Sequence, residues 1–268
     1  KSYNLNVSSG NLSLKNIKTF GAAVKIQPEK YSTSNRISLN GKEYLGTVNF
    51  TVESGKYIRP INLDIPFEDY LKGVVPNEMP ASWPLEALKA QAVAARTYSV
   101  SKIGQTVADT TAFQVYGGYS WSANSSKAVD QTKGKVLKYN GSLITAVYSS
   151  SNGGYTEASN EVWSSKVPYL IAKKDSMDPQ NSWSLKLSKT QIHTGSLNLN
   201  SAGSWWSKTT ETNESLLKGL KNWITKNKET GADGVKIAGI SSIAFSGKTQ
   251  GQRPKRATIK VNYLVKNN

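Results

Sequence analysis

The chain has 268 residues, with 34 Lys and Arg against 18 Asp and Glu, one His and no Cys. Without cysteine, thiol catalysis, disulfide frameworks and Cys-ligated zinc are excluded. The one histidine, His193, leaves no multi-His metal site and little basis for a Ser-His-Asp triad.

Short β-type runs fill the first 60 residues, at 22–26, 36–39 and 46–52. Asn40-Gly41 is a hairpin turn signal, because both residues tolerate positive φ. Residues 58–65 alternate apolar and polar and read as a further strand. At residue 66 the period changes. Phe67, Tyr70, Leu71, Val74 and Val75 share one face of a short helix over about 67–75, with Pro66 in its first turn and Pro76 at its end. A second helix is predicted over about 84–100. Its alanines (87, 90, 92, 94 and 95) favour helix and present a smooth face, with Leu85, Leu88, Ala92 and Ala95 as the buried stripe.

The pattern then returns to β. Gln114 to Gly118 reads as a strand ending in a turn, 128–132 as a helical turn, and 134–148 as a hairpin about Asn140-Gly141. A loop dense in hydroxyls and glycines follows at 149–157. Residues 176–213 are polar and without pattern. Leu216, Leu217, Leu220, Trp223 and Ile224 mark an amphipathic helix, and β runs at 235–245 and 257–265 flank a basic turn. The expected fold is α+β: β structure around a tight pair of helices, with a variable C-terminal subdomain. Four segments follow from this reading. They are a β-rich part at 1–60, a core at 61–180, a subdomain at 181–234, and strands at 235–268 that return to the core.

The net charge of +16 supplies solubility or, on the sharper reading, points to an anionic partner: nucleic acid, an anionic membrane or a wall carrying polyphosphate. The basic residues are spread along the chain, and the tightest cluster, Arg253-Pro254-Lys255-Arg256, is short. No nucleic-acid motif is present, so a diffuse polyanion fits better than a duplex. No run of about 18 apolar residues occurs, so no transmembrane helix is expected. The first residue, Lys1, suits a mature chain whose signal or anchor has been removed, and a trimmed chain would look the same.

Several matches to known motifs fail. Ser215-Leu216-Leu217-Lys218 lacks the companion motifs of penicillin-recognising enzymes, and Gly247-Lys248-Thr249 has Ser242 where a phosphate loop requires Gly. Trp121, Trp205 and Trp206 could stack on sugar rings or simply pack. Glu78 stands out. It lies between the two helices in a proline-flanked turn, Pro76-Asn77-Glu78-Met79-Pro80, where a carboxylate is rigidly presented. It could serve as a helix cap or ion-pair partner, or as a general acid among the apolar Met79, Trp83 and the alanine helix.

The run from Tyr70 through Pro76-Asn77-Glu78-Met79-Pro80 to Trp83, and on through Gln91 and Arg96 to Tyr98, resembles the stage II sporulation protein D family. That family also contains amidase enhancers, the modifier proteins of wall autolysins. The likeness continues through Gln114 to Gly118, Ala128-Val129-Asp130, the Asn140-Gly141 hairpin and Gly153 to Glu157, and covers about 60–180 strongly.

The resemblance implies an extracytoplasmic, secreted or wall-associated protein. As a lytic transglycosylase, it would cleave the MurNAc–GlcNAc bond of peptidoglycan to a 1,6-anhydro end, with Glu78 as acid and base. Ordinary glycoside hydrolysis uses two carboxylates. A transglycosylase uses no water, because the C6 hydroxyl attacks its own C1, so one glutamate suffices. Substrate contacts are expected from the loop at Ser149, Ser151, Gly153 and Thr156. Lys89, Gln91 and Arg96 cannot share one helix face, and the cleft contacts are assigned to Gln91 and Arg96. Some family members carry His and Cys in that loop and bind zinc. Hydroxyls stand there in this chain and are poor zinc ligands, so no metal and no cofactor is expected. The partners implied are glycan strands, anionic wall polymers and a cell-wall amidase. The alternative function is a non-catalytic wall-binding enhancer of an N-acetylmuramoyl-L-alanine amidase.

Overall fold

The computed structural model describes residues 2–266. The fold is α+β, and the chain divides into two units, Lys1–Tyr148 and Ser149–Asn268. The cut falls inside the segment 61–180.

In the first unit the short apolar runs pair into small antiparallel sheets. Strands β1 (Leu5–Ser8), β2 (Asn11–Leu14) and β3 (Lys18–Thr19) form a meander. Strand β4 (Ala23–Ile26) pairs with β7 (Thr47–Glu53), which pairs in turn with β8 (Tyr57–Leu63). Strands β5 (Ile37–Leu39) and β6 (Lys42–Tyr44) meet at the predicted turn, where Asn40 and Gly41 both take positive φ. The inward faces of these strands close over Leu12, Val48 and Phe50.

Three helices carry the second core of this unit: α1 (Phe67–Glu78), α2 (Leu85–Ser99) and α3 (Ala123–Gln131). Leu71, Val74 and Val75 of α1 pack with Leu88, Ala92 and Ala95 of α2 and with Ala128 and Val129 of α3. Helix α1 does not end before Pro76. It runs on to Glu78, so Glu78 is the last helical residue rather than part of a turn. Proline in a helix removes one amide donor and crowds the carbonyl four residues back. The last turn holds because the Met79 amide still donates to Val75 O (3.0 Å), and because Asn77 Nδ2 (2.8 Å) and the Gly117 amide (3.0 Å) both donate to Gly73 O.

Residues 114–118 form no strand. Their amides go elsewhere: Val115 N to the Glu78 side chain, Tyr116 N to Asp109 O and Gly117 N to Gly73 O. Strands β9 (Lys138–Tyr139) and β10 (Ser142–Leu143) make the expected hairpin about Asn140-Gly141, but only two residues long on each side.

The second unit holds the short helix α4 (Ser159–Val162), the amphipathic α5 (Glu214–Asn227), and one long hairpin, β11 (Gly234–Lys248) with β12 (Pro254–Lys266). Leu217 and Ile224 of α5 lie on Val235, Ile237 and Ile240 at the base of that hairpin. In its outer half, residues 242–248 and 254–260 are exposed on both faces.

Candidate functional site

Glu78 ends α1, and residues 114–118 are laid along the same turn. Glycine makes the approach possible. A Cβ on Gly73 would stand 2.4 Å from Gly118 O and 2.6 Å from the Tyr116 ring, and one on Gly117 would stand 2.4 Å from the Asn77 amide. Asn77 Nδ2 also donates to Ser120 Oγ (2.7 Å), tying the far end of the segment to the helix. The result is a rigid carboxylate, with Oε1 accepting the Val115 amide at 2.6 Å.

A chain of side chains backs it. The Tyr70 hydroxyl donates to Gln114 Oε1 (3.2 Å), and Gln114 Nε2 donates to Ala95 O (3.2 Å) and to the Tyr148 hydroxyl (2.9 Å). The Tyr148 phenol lies near enough to the Glu78 carboxylate to feel its charge. Burial and the nearby Glu78 charge, partly offset by the Gln114 bond, push the Tyr148 phenol up to about 12. It therefore keeps its proton at neutral pH. Burial likewise raises Tyr70, with the charges of Tyr148 and Glu78 adding to it. Glu78 thus sits in polar company, a backbone amide and a phenol, rather than the apolar setting expected. Met79 packs against the helical core and Trp83 is about half exposed.

Arg96, expected at the cleft, is instead buried at 1% exposure. Its guanidinium makes a two-pronged pair with Glu68 (3.0 and 2.7 Å) and donates to Val129 O and Lys135 O (both 3.2 Å). These bonds join α2 to α1, to α3 and to the segment that follows α3. Gln91 is also buried, and its Nε2 has no hydrogen-bond partner among the described residues. The tryptophans pack. Trp205 lies against Trp206 and donates to Asn198 O (2.8 Å), while Trp121 sits beneath Lys72 (4.8 Å).

The hydroxyl-rich loop belongs to the second unit, where it closes on two aspartates. Asp178 Oδ2 accepts from Ser151 Oγ (2.8 Å) and from the amides of Asn152 (2.6 Å) and Gly153 (2.7 Å). Asp175 accepts from Asn152 Nδ2 (2.9 Å). The Ser151 bond and these amides hold the Asp178 carboxyl below the usual range, and the Asn152 and Met177 donors do the same for Asp175. Ser149 Oγ donates to Ser151 O (3.2 Å). Thr156 Oγ1 is spent on Ile171 O (2.8 Å) and the Lys173 amide (2.8 Å). Of the four loop positions expected to face substrate, Ser149, Ser151 and Gly153 are exposed and Thr156 is half-buried. Among the described residues, no group of three or more His, Cys, Asp and Glu is placed to hold a metal ion.

The segment that carries this geometry has known counterparts. Residues 55–139 match the family described as Stage II sporulation protein. Over 264 residues, 98% of this chain and 37% of the relative, the sequence is 71% identical to the "Amidase enhancer" of Bacillus subtilis (strain 168). It is 35% identical over 182 residues to the "Stage II sporulation protein D" of the same organism, covering 60% of this chain and 53% of the relative. It is 39% identical over 140 residues to that of Bacillus amyloliquefaciens, covering 44% and 41%. The chain spans between about a third and a half of the length of these relatives.

Proposed function

We propose that this chain, which carries a stage II sporulation protein domain over residues 55–139, works outside the cytoplasm at the bacterial cell wall as the wall-engaging part of an amidase enhancer. The observation that carries this reading is the 71% identity, over 98% of the chain, to a protein of that name. The partners are peptidoglycan glycan strands, the anionic polymers that accompany them, and a separate amidase. A net charge of +16 suits that environment.

The geometry at Glu78 favours a second reading, lytic cleavage of the glycan itself. One carboxylate fixed by the Val115 amide, with the Tyr148 phenol nearby, has the single group such a reaction needs. In its protonated form it would deliver its proton to the glycosidic oxygen as the C1–O bond breaks. It would then accept the C6 hydroxyl proton as that oxygen bonds to C1, closing the 1,6-anhydro ring and restoring the acid. No water is consumed.

One experiment separates the two. The purified chain is incubated with peptide-free glycan strands, and then with whole walls plus a wall amidase, and the fragments are weighed by mass spectrometry. Enhancement predicts intact strands in the first case and faster peptide release in the second, with Glu78→Gln as effective as the parent. Cleavage predicts anhydro ends that fall 10²–10⁴-fold in Glu78→Gln, the usual contribution of a general acid–base group. An amidase rate indifferent to the chain would remove the first reading. Glycan ends carrying an added water would remove the second.

A further inference from the structure

We propose that the outer half of the β11–β12 hairpin binds a phosphodiester polyanion along one face, through Lys248, Arg256 and Lys260. The register decides which side chains share that face. Ser242 is opposite Lys260, Ala244 opposite Thr258, Ser246 opposite Arg256 and Lys248 opposite Pro254, and residues directly opposite project to the same side. This face therefore carries three cations separated by small hydroxyl residues, all exposed. The other face carries Ile243 with Ile259 and Phe245 with Ala257. Gly247 and Lys255 continue it, since a Cβ on Gly247 would meet the Lys255 Cβ at 3.5 Å.

The two faces differ in how their charge is used. Lys255, on the apolar side, pairs with Glu161 at 2.9 Å. Arg253, in the turn, pairs with Glu157 at 3.3 Å and donates to Asn152 O (2.7 Å) and Tyr155 O (3.0 Å). Among the described residues, Lys248, Arg256 and Lys260 have no ion-pair partner. Residues 234–266 contain no Asp or Glu at all. At about 3.4 Å per residue, Lys260 lies roughly 14 Å along the ribbon from Arg256, and Lys248 roughly 7 Å beyond it on the other side. The shorter spacing falls within the ~8 Å Debye length at physiological salt and the longer one exceeds it, so Lys248 and Arg256 act as a pair and Lys260 as a further contact along a flexible chain.

The occupant follows from what else the face holds. There is no aromatic ring on it for a base to stack on, which disfavours single-stranded nucleic acid. There is no apolar pocket to anchor a peptide. Three cations, with the hydroxyls of Ser242, Ser246 and Thr258 between them, fit a polymer of phosphodiesters and simple alcohols. That such a polymer comes from the wall rests on the reading above. The recognition chemistry does not.

The test uses purified poly(glycerol phosphate) with no amidase present, so its outcome is independent of enhancement. Lys248→Gln, Arg256→Gln and Lys260→Gln are combined and compared with Lys15→Gln, Lys30→Gln and Lys56→Gln, a triple of equal charge on the first unit. The hairpin triple should weaken binding tenfold or more at about 0.05 M salt. It should also flatten the slope of log K against log salt by about 2, from three contacts at ~0.7 each. The control triple should change neither by more than about twofold. Because the residues are exposed, near-ultraviolet dichroism should match the parent. Should the Gln triple misfold, the charge-keeping Lys248→Arg, Arg256→Lys and Lys260→Arg set must retain binding. Equal losses in the two Gln triples would reduce the effect to diffuse charge and overturn the proposal. So would hairpin-dependent binding that is tighter for single-stranded DNA of equal phosphate number.

Discussion

Replacing Arg96 with Met keeps an unbranched apolar stem and removes the guanidinium with all its donors. The Glu68 carboxylate then loses both prongs of its pair, and the Val129 and Lys135 carbonyls lose a partner in the interior. Breaking a buried pair by deleting one member costs about 3–5 kcal/mol, because a charge is left behind uncompensated. The Glu68 side chain is 21% exposed and still accepts the Gly134 amide, so water relieves part of that penalty and about 3 kcal/mol is expected. For a unit of this size, Lys1–Tyr148, each kcal/mol shifts the melting temperature by about 3 °C, so Arg96→Met should melt roughly 9 °C lower. Scanning calorimetry measures this directly. Adding Glu68→Gln should recover part of the loss, since the stranded charge is then gone. An unchanged melting temperature together with lost affinity for glycan would show that Arg96 serves a ligand, and the structural assignment would fall.

Gly73→Ala drives a Cβ into Gly118 O and the Tyr116 ring, and a backbone atom cannot swing aside. About 2–3 kcal/mol of destabilisation is expected in urea unfolding, and a midpoint equal to the parent's would contradict the close approach. Glu157 holds the tip of the long hairpin through Thr249 and the Gly251 amide. Partial burial pushes its carboxyl up, but the bonds from Thr249, Gly251, Ala158 and Arg253 prevail and leave it below the usual range. A depressed folded value means the stabilisation is complete above about pH 4.3, the unfolded glutamate value, and is lost as pH falls through the lower folded one. The Gly251 amide resonance should therefore titrate below about pH 4.3 in the parent and not at all in Glu157→Gln. A midpoint above that value would reverse the sign of the argument.

Much of the first unit was readable because local rules and tertiary packing agree there. The 3.6-residue apolar period located α1 and α2, and Asn-Gly placed both tight hairpins, each with the positive φ it signals. Pro76 misled because a proline stops a helix only when nothing compensates for the lost bond. Here the turn is held one residue on, where Asn77 and Gly117, a residue far along the chain, both donate to Gly73 O. The same distance hid the surroundings of Glu78. The residue could be picked out from its turn, but the Val115 amide that fixes it is 37 positions away, and Tyr148 is farther still. The segment 114–118 looked like a strand because its residue types suit one, and only the helix it lies against shows where its amides go.

Arg96 is the more instructive case, because the signal against a cleft role was present in the chain. Leu88, Ala92 and Ala95 define the buried stripe of α2, and Arg96 falls eight residues after Leu88, on that same stripe. Gln91, three residues after Leu88, falls there too, and both are buried. Charge and polarity invited a functional role, whereas helical position dictated an interior one. At this helix the geometry of the period outranked the chemistry of the side chain, and Glu68 is what makes burying the arginine tolerable. Glu78 escapes the same fate because it ends its helix: the last turn of α1 leaves it half-buried, with its carboxylate held by the Val115 amide.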